Sequence, residues 1–361
     1  MKILAIETSC DETSSAVVEK KENDNCIKVL SNIVSSSLPK HAKTGGIIPE
    51  NAAREQVKYI LPVIIESLLK SEKIDKKLND KQRFEQANKI LKENIDALTV
   101  TVGPGLIGSL LVGVETAKTL SFTFGKPIVP VNHLLGHIYA NFIYNQKLAS
   151  QIAGPSFPFI GLIVSGGHTD LLFFENHGKY KWLGGTRDDA AGEAMDKLAR
   201  ILGLSYPGGP QIEKKAKKVN KSNIKFKSPM IETEDFDFSF SGLKTEAMRE
   251  IQKIDLNDEI IDNICFAIQK AIVDVLIKKT VRAAKVFNVS TIVLGGGVSA
   301  NESLRERFLQ TAKDQRLKTK VFFPEKKYTS DNAAMIGSYA LFNYKPVPWK
   351  KITAKPELYF I

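Results

Sequence analysis

The chain has 361 residues, 43% hydrophobic and 25% charged, with 24 glycines, a formal net charge of +11 and a pI near 9.3. This is ordinary globular composition, and at roughly 100–200 residues per domain the length predicts two domains or one large bilobal unit. Three scattered cysteines (Cys10, Cys26, Cys265) without a C-x-x-C pair exclude a disulfide framework and a Cys-based zinc site and fit a reducing compartment. The opening MKILAIETSCDE meets Glu7 too early for a signal-peptide core, and no apolar run reaches the ~18 residues of a membrane span. The expectation is a cytoplasmic protein without a membrane partner.

In chain order, ILAIE and SAVVEK read as strands around the polar turn TSCDET, and IKVLSNIVSS as a third strand. A helix starts at Pro49, since proline suits a first turn, and runs through AAREQVKYILPVIIESLLKS. The lysine-rich stretch from 71 to 94 reads as an insertion or an exposed helix pair. DALTVTVGPGLIGSLLVGVETAKTLSF is strand, glycine turn and helix, and PIVPV is another strand. The second half repeats the order. FIGLIVSGG and TDLLFFE form a hairpin, KYKWLG a third strand, and DDAAGEAMDKLARILGL a helix ended by glycine. A polar, lysine-rich insertion covers about 210–258, followed by a helix over Glu259 to Phe287. TIVLGGGVSANESLRERFL, KVFFP and SDNAAMIGSYALF then read as strand–turn–helix, strand and last helix.

Two copies of βββαβαβα predict an α/β fold of two related lobes with a cleft between them, the plan of the actin, Hsp70 and hexokinase (ASKHA) superfamily. The expected division is 1–132 plus 325–361 for one lobe and 133–324 for the other. Each half carries a polar hairpin turn and a glycine turn: TSCDET with VGPGLIG, and SGGHT with GGGVSAN. Glycine lets backbone N–H groups approach a ligand, and a helix N-terminus favours an anion, so four such turns at matching places predict a nucleotide or acyl phosphate ligand. Neither G-x-x-x-x-G-K-[ST] nor a G-x-G-x-x-G with its acidic follower is present, which excludes the P-loop and Rossmann modes.

VNHLLGH sets His133 and His137 four residues apart, on one helix face, as zinc peptidases present two ligands. Leu134, Leu135 and Gly136 between them supply no general base. Asp331, in TSDNAAMIG, is the best third ligand, and two His with one carboxylate suit non-haem Fe(II) and are tolerated by Zn²⁺. Polarisation of a substrate oxygen is then a better use of the ion than peptide hydrolysis. Seven lysines between Lys214 and Lys227 form the densest positive run, which reads either as an attractor of polyanions or as a solvated surface.

AIETSCDET, GGIIPE, VGPGLIGSLLVG, NHLLGH, IVSGGHT, DDAAGEAMDKLARILGLSYPGGP, FDFSFSGLKT, GGGVSAN and TSDNAAMIG, in this order, resemble the blocks of the TsaD family, once labelled O-sialoglycoprotein endopeptidase. The resemblance runs from residue 1 to about 345 and is closest to the bacterial branch. It implies transfer of an L-threonylcarbamoyl group from threonylcarbamoyl-adenylate to N6 of adenosine 37 in tRNAs reading ANN codons, with release of AMP. It implies one metal, generally iron, on His133, His137 and Asp331. Substrate contacts are implied at Ile163, Val164, Ser165, Gly166 and Gly167, and at Asp196, Gly209 and Asn301. The implied partners are tRNA, a TsaB-like paralogous subunit and a TsaE-like ATPase.

The acyl donor is a mixed anhydride and N6 of adenine a poor nucleophile, so orientation and oxyanion stabilisation carry most of the task. Asp11 and Glu12 in the first hairpin turn are the candidates for the base that removes the N6 proton, with an ordinary turn role equally open. Cys10 has no histidine partner in its surroundings and reads as a strand-end residue. A metallopeptidase and a nucleotide-binding scaffold subunit are the competing functions.

Overall fold

The computed structural model describes residues 1–37, 46–74, 77–144, 154–314 and 319–360; Gly45, which opens the GGIIPE block, lies outside them. The chain divides into two compact units, Met1–Gly154 with Glu325–Ile361, and Pro155–Pro324. No helix among the described residues is long and apolar enough to cross a membrane.

In the first unit, β1 (Lys2–Glu7), β2 (Glu12–Glu19) and β3 (Lys28–Ser36) form an antiparallel meander, and β4 (Ala97–Gly103) and β5 (Ile128–Asn132) extend it in parallel, in the order β3-β2-β1-β4-β5. β1 is buried on both faces, which is why ILAIE reads as a continuous apolar run rather than an alternating one. Leu4 and Ile6 pack on the side of helices α1 (Pro49–Ser71), α2 (Asp80–Glu93) and α3 (Ile107–Phe124). Ile3 and Ala5 pack on the side of the C-terminal helix Ala333–Phe342. Burial of Ile3, Leu4 and Ile6 contributes about 1.5–3 kcal/mol each.

α1 starts at Pro49 as expected and buries Ile60, Ile64 and Leu68, spaced four apart on one face. The stretch from 71 to 94 holds one helix rather than a pair. Asn79 and Gln82 cap α2 reciprocally, and Ala87, Ile90 and Leu91 seat it in the core. α4 (His133–Tyr139) is capped by Asn132, whose Oδ1 accepts from the N–H of Leu134 at 2.8 Å. Gly136 lets α4 lie against the C-terminal helix, since a Cβ there would come within 2.7 Å of Ile336. The Ser338 hydroxyl also donates to the Tyr139 carbonyl. α4 therefore belongs to the first unit, and the boundary falls at Gly154–Pro155 where the sequence reading places it before His133.

The second unit repeats the topology. β6 (Phe159–Val164), β7 (Thr169–Asn176) and β8 (Lys179–Gly185) form the meander, and β9 (Thr291–Gly295) and β10 (Lys320–Phe322) the parallel edge, in the order β10-β9-β6-β7-β8. Its helices are α5 (Ala191–Ile201), α6 (Gly208–Ala216), α7 (Ser241–Ile251), α8 (Asp258–Val286) and α9 (Glu302–Asp314). The segment 210–258, expected as a polar insertion, is integral to this unit. Phe226, Phe238, Phe240, Leu243 and Ala247 are buried with α5 and α8 in one core. Sparse but large aromatic side chains anchor a polar sequence there.

Candidate metal centre and ligand loops

α4 holds His133 and His137 one turn apart, with ring centroids at 4.7 Å and planes inclined by 77°. The Nε2 atoms of both rings lie 3.4 Å from the same oxygen, Oδ1 of Asp331. Ligand atoms of the three residues all lie within 4.8 Å of one another, which makes them a candidate site for one divalent ion. Among the described residues neither nitrogen of the buried His137 ring has a hydrogen-bond partner, an arrangement that costs stability unless an ion or donor completes it. Two imidazoles and a carboxylate, with no thiolate, match the donor preferences of iron and zinc.

Asp331 is placed by the residues that come after it in the chain. Asn332 caps the C-terminal helix, its Oδ1 accepting from the Met335 N–H at 3.1 Å, while the Ser14 hydroxyl accepts from Ala333 N–H at 2.9 Å. Burial alone would raise the Asp331 carboxyl, but the adjacent His133 and His137 hold it well below the usual carboxylate range. Burial alone would lower His133, yet Asp331 and Glu7 outweigh it and hold the imidazole above its ordinary value. Burial keeps His137 below its ordinary value, in the neutral form a metal requires.

Glu7, Ser9 and Gln56 were not singled out by sequence reasoning. Glu7 is fully buried at the end of β1, with its Oε2 3.2 Å from His133 Nδ1. Its signal was a charged residue ending a strand that is otherwise apolar on both faces. Gln56 of α1 donates through Nε2 to the carbonyls of Cys10 and Glu12 at 3.1 and 2.9 Å and so clasps the hairpin turn. In that turn Asp11 is buried and its Oδ2 has no hydrogen-bond partner among the described residues. Burial, then the charges of Asp331 and Asp11, raise the Glu12 carboxyl well above the usual range and favour its protonated form. Burial and the same acids raise the Cys10 thiol, which is no nucleophile in this setting.

The glycine turns divide. In VGPGLIG the backbone is used within the unit: Gly105 N–H donates to the Pro356 carbonyl at 3.1 Å and Leu106 N–H to Ser9 at 2.8 Å. The expectation that this glycine pair cradles a phosphate is corrected by these contacts. A Cβ on Gly103 would lie 1.9 Å from the Lys355 carbonyl oxygen, so the glycine admits the C-terminal segment.

In the second unit the SGGHT loop and the GGGVSAN turn leave the C-terminal ends of the paired strands β6 and β9, with Ile163 opposite Gly295. Ile163 and Val164 are buried core residues, so only their backbone can meet a ligand; Gly166 and Gly167 are exposed with open space over each Cα. The loop is seated on α5, where Gly192 N–H donates to the Ser165 carbonyl at 3.1 Å. Gly296 adopts φ +91° and packs on the Val164 carbonyl, an approach closed to any other residue.

Asp196, in the middle of α5, caps α6: its Oδ1 accepts from the N–H groups of Gly208 at 2.7 Å and Gly209 at 3.2 Å. Burial raises its carboxyl despite these two donors. Asn301 is held on both sides, its Oδ1 accepting from Leu304 N–H and its Nδ2 donating to Gln269. In the lysine run, Lys215, Lys217 and Lys218 face Asp258, Asp262, Glu213 and Glu302, which reduces the positive field expected from sequence.

Two five-stranded sheets of one topology make this an α/β protein with a duplicated fold and a His-His-Asp set in its first unit. The HypF structure from T. kodakarensis shares the fold at TM-score 0.59 and 14% identity, over 95% of this chain and 48% of that one. The family model for TsaD, tRNA N6-adenosine threonylcarbamoyltransferase, matches residues 28–338, and the chain belongs to this family. Proteins of that name from Thermosipho africanus and Endomicrobium trichonymphae are each 44% identical to it. The first match covers 96% of this chain and 94% of the relative, the second 99% and 97%.

Proposed function

We propose that the chain transfers the L-threonylcarbamoyl group from threonylcarbamoyl-adenylate to N6 of adenosine 37 in tRNAs reading ANN codons. The observation that carries this reading is the 44% identity, over nearly the whole chain, to relatives named tRNA N6-adenosine threonylcarbamoyltransferase. The N6–carbonyl bond forms, the anhydride C–O bond breaks, AMP leaves with the electron pair and the N6 proton passes to a base. Asp11 fits that base, because its buried Oδ2 has no hydrogen-bond partner among the described residues, whereas burial and the neighbouring acids favour the protonated form of Glu12.

His133, His137 and Asp331 hold the ion, iron in this reading with zinc the alternative, which when bound supplies a Lewis acid toward a donor oxygen. Backbone from Ile163 to Gly167, together with Asp196, Gly209 and Asn301, contacts the donor. For Asp196 a ribose hydroxyl suits the carboxylate, alongside its capping of α6. A TsaB-like subunit and a TsaE-like ATPase are the partners, in the bacterial cytoplasm. The peptidase alternative lacks a base between the two histidines of α4.

The test is transfer of labelled threonine to tRNA in a mixture with the partner proteins and an adenylate-forming enzyme. Transfer by the wild-type chain, lost in the His133→Ala/His137→Ala variant, is expected. No transfer by wild type, or full transfer by that variant, sinks the metal-dependent reading. Protein cleavage by the chain alone, blocked by a chelator, would favour the peptidase.

A further inference from the structure

Glu7 ends β1 with its side chain wholly removed from solvent. A carboxylate in that position persists only with compensation, and three groups provide it. Oε1 accepts from the Ser9 backbone N–H at 2.5 Å, and Oε2 accepts from the Thr101 hydroxyl and lies 3.2 Å from His133 Nδ1. The Ser9 hydroxyl is 3.1 Å from the same Nδ1. Across the ring, Nε2 faces Asp331. A neutral imidazole between two carboxylates offers a lone pair to a cation at Nε2 only when its proton is on Nδ1.

We propose that Glu7 is a positioning residue of the metal centre: it receives the Nδ1 proton of His133, fixes the tautomer that leaves Nε2 as a ligand, and locks the ring by its own bonds to Ser9 and Thr101. The inference rests on the reading of His133, His137 and Asp331 as metal ligands. A carboxylate behind a ligating imidazole also raises the basicity of the ligand nitrogen. The nearly isosteric amide reverses this. In Glu7→Gln the side-chain nitrogen standing at the Oε2 position donates to Nδ1 and drives the ring proton to Nε2, the inversion an amide produces behind the histidine of a catalytic triad.

The experiment titrates Co²⁺ into the metal-free full chain, following the visible ligand-field bands and competing with a chelator, for wild type, Glu7→Gln and Thr101→Val. Glu7→Gln is expected to bind Co²⁺ roughly ten- to a hundredfold more weakly, with altered bands, at an unchanged metal-free melting transition. Thr101→Val keeps the carboxylate but removes the hydroxyl that aims it, and should lose affinity by a smaller factor. Wild-type affinity and bands in Glu7→Gln overturn the proposal. If Glu7→Gln shows no native transition, wild-type affinity in Thr101→Val overturns it instead. A wild-type chain that binds no Co²⁺ defeats the metal-centre reading itself, a result distinct from equal binding by all three proteins.

Discussion

His137 Nε2 lies 3.4 Å from Asp331 Oδ1, in a side chain 1% exposed whose two ring nitrogens have no hydrogen-bond partner among the described residues. Its ring meets the Asp331 carboxylate, whose charge it helps to hold, and a bound ion would satisfy both. His137→Leu is expected to lose the rise in melting temperature that metal gives wild type. That rise corresponds to about 2.7 kcal/mol at a hundredfold excess of ion over its Kd. Thermal unfolding of both proteins with and without Co²⁺ checks it; a metal-dependent rise retained in His137→Leu would contradict the ligand assignment.

Gln56 holds the acidic turn in place. Its amide clasps the Cys10 and Glu12 carbonyls and touches none of the three ligands. Gln56→Leu should release the turn that carries Asp11, lowering the transfer rate on the order of tenfold or more while Co²⁺ affinity stays near wild type. Parallel rate and titration measurements test this, and a joint fall of both would show that the turn and the metal ligands behave as one unit.

Gly103 tests the corrected role of the first glycine turn. At φ +154° with its Cα against the Lys355 carbonyl, it cannot take a side chain without expelling the C-terminal segment. Gly103→Ala should cost about 1–3 kcal/mol and open the segment to trypsin after Lys350 or Lys351. Equal digestion of both proteins would remove the argument.

Asp188 joins two segments of the second unit. It accepts from the hydroxyls of Ser239 and Ser241 at 2.5 and 2.6 Å and from the Phe240 N–H at 2.7 Å. Burial opposes its charge, but these donors hold the carboxyl below the ordinary range. With the folded value depressed, the unfolded chain protonates first as pH falls, so this stability is complete above about pH 4 and is lost below it. Asp188→Asn should melt lower than wild type at neutral pH, and the gap should narrow in acid. A gap constant from pH 7 to about pH 3 would exclude the linkage.

Much of this molecule is legible in one dimension. The strand–turn–helix order is written in local periodicity: β1 alternates between two helix layers, and α1 places Ile60, Ile64 and Leu68 at intervals of one turn. The His133 and His137 spacing is legible for the same reason, because a helix makes four-residue neighbours adjacent. The segment from 210 to 258 was harder, since its lysines outnumber the few aromatics that seat it, and those aromatics find their core only through α5 and α8.

What the sequence determined by itself is what local geometry dictates: two repeats of one topology, the ligating pair on α4, and glycines wherever the backbone turns tightly. Tertiary structure alone decided the rest, because long-range approach depends on packing that no local pattern encodes. It set Asp331 opposite α4 through the capped C-terminal helix and put Glu7 behind His133. It also filled the first glycine turn with the chain's own Pro356 and left the loop at Gly166 and Gly167 open. The physical reason is that a glycine turn offers the same N–H groups to a phosphate or to a carbonyl, and only the fold determines which one arrives.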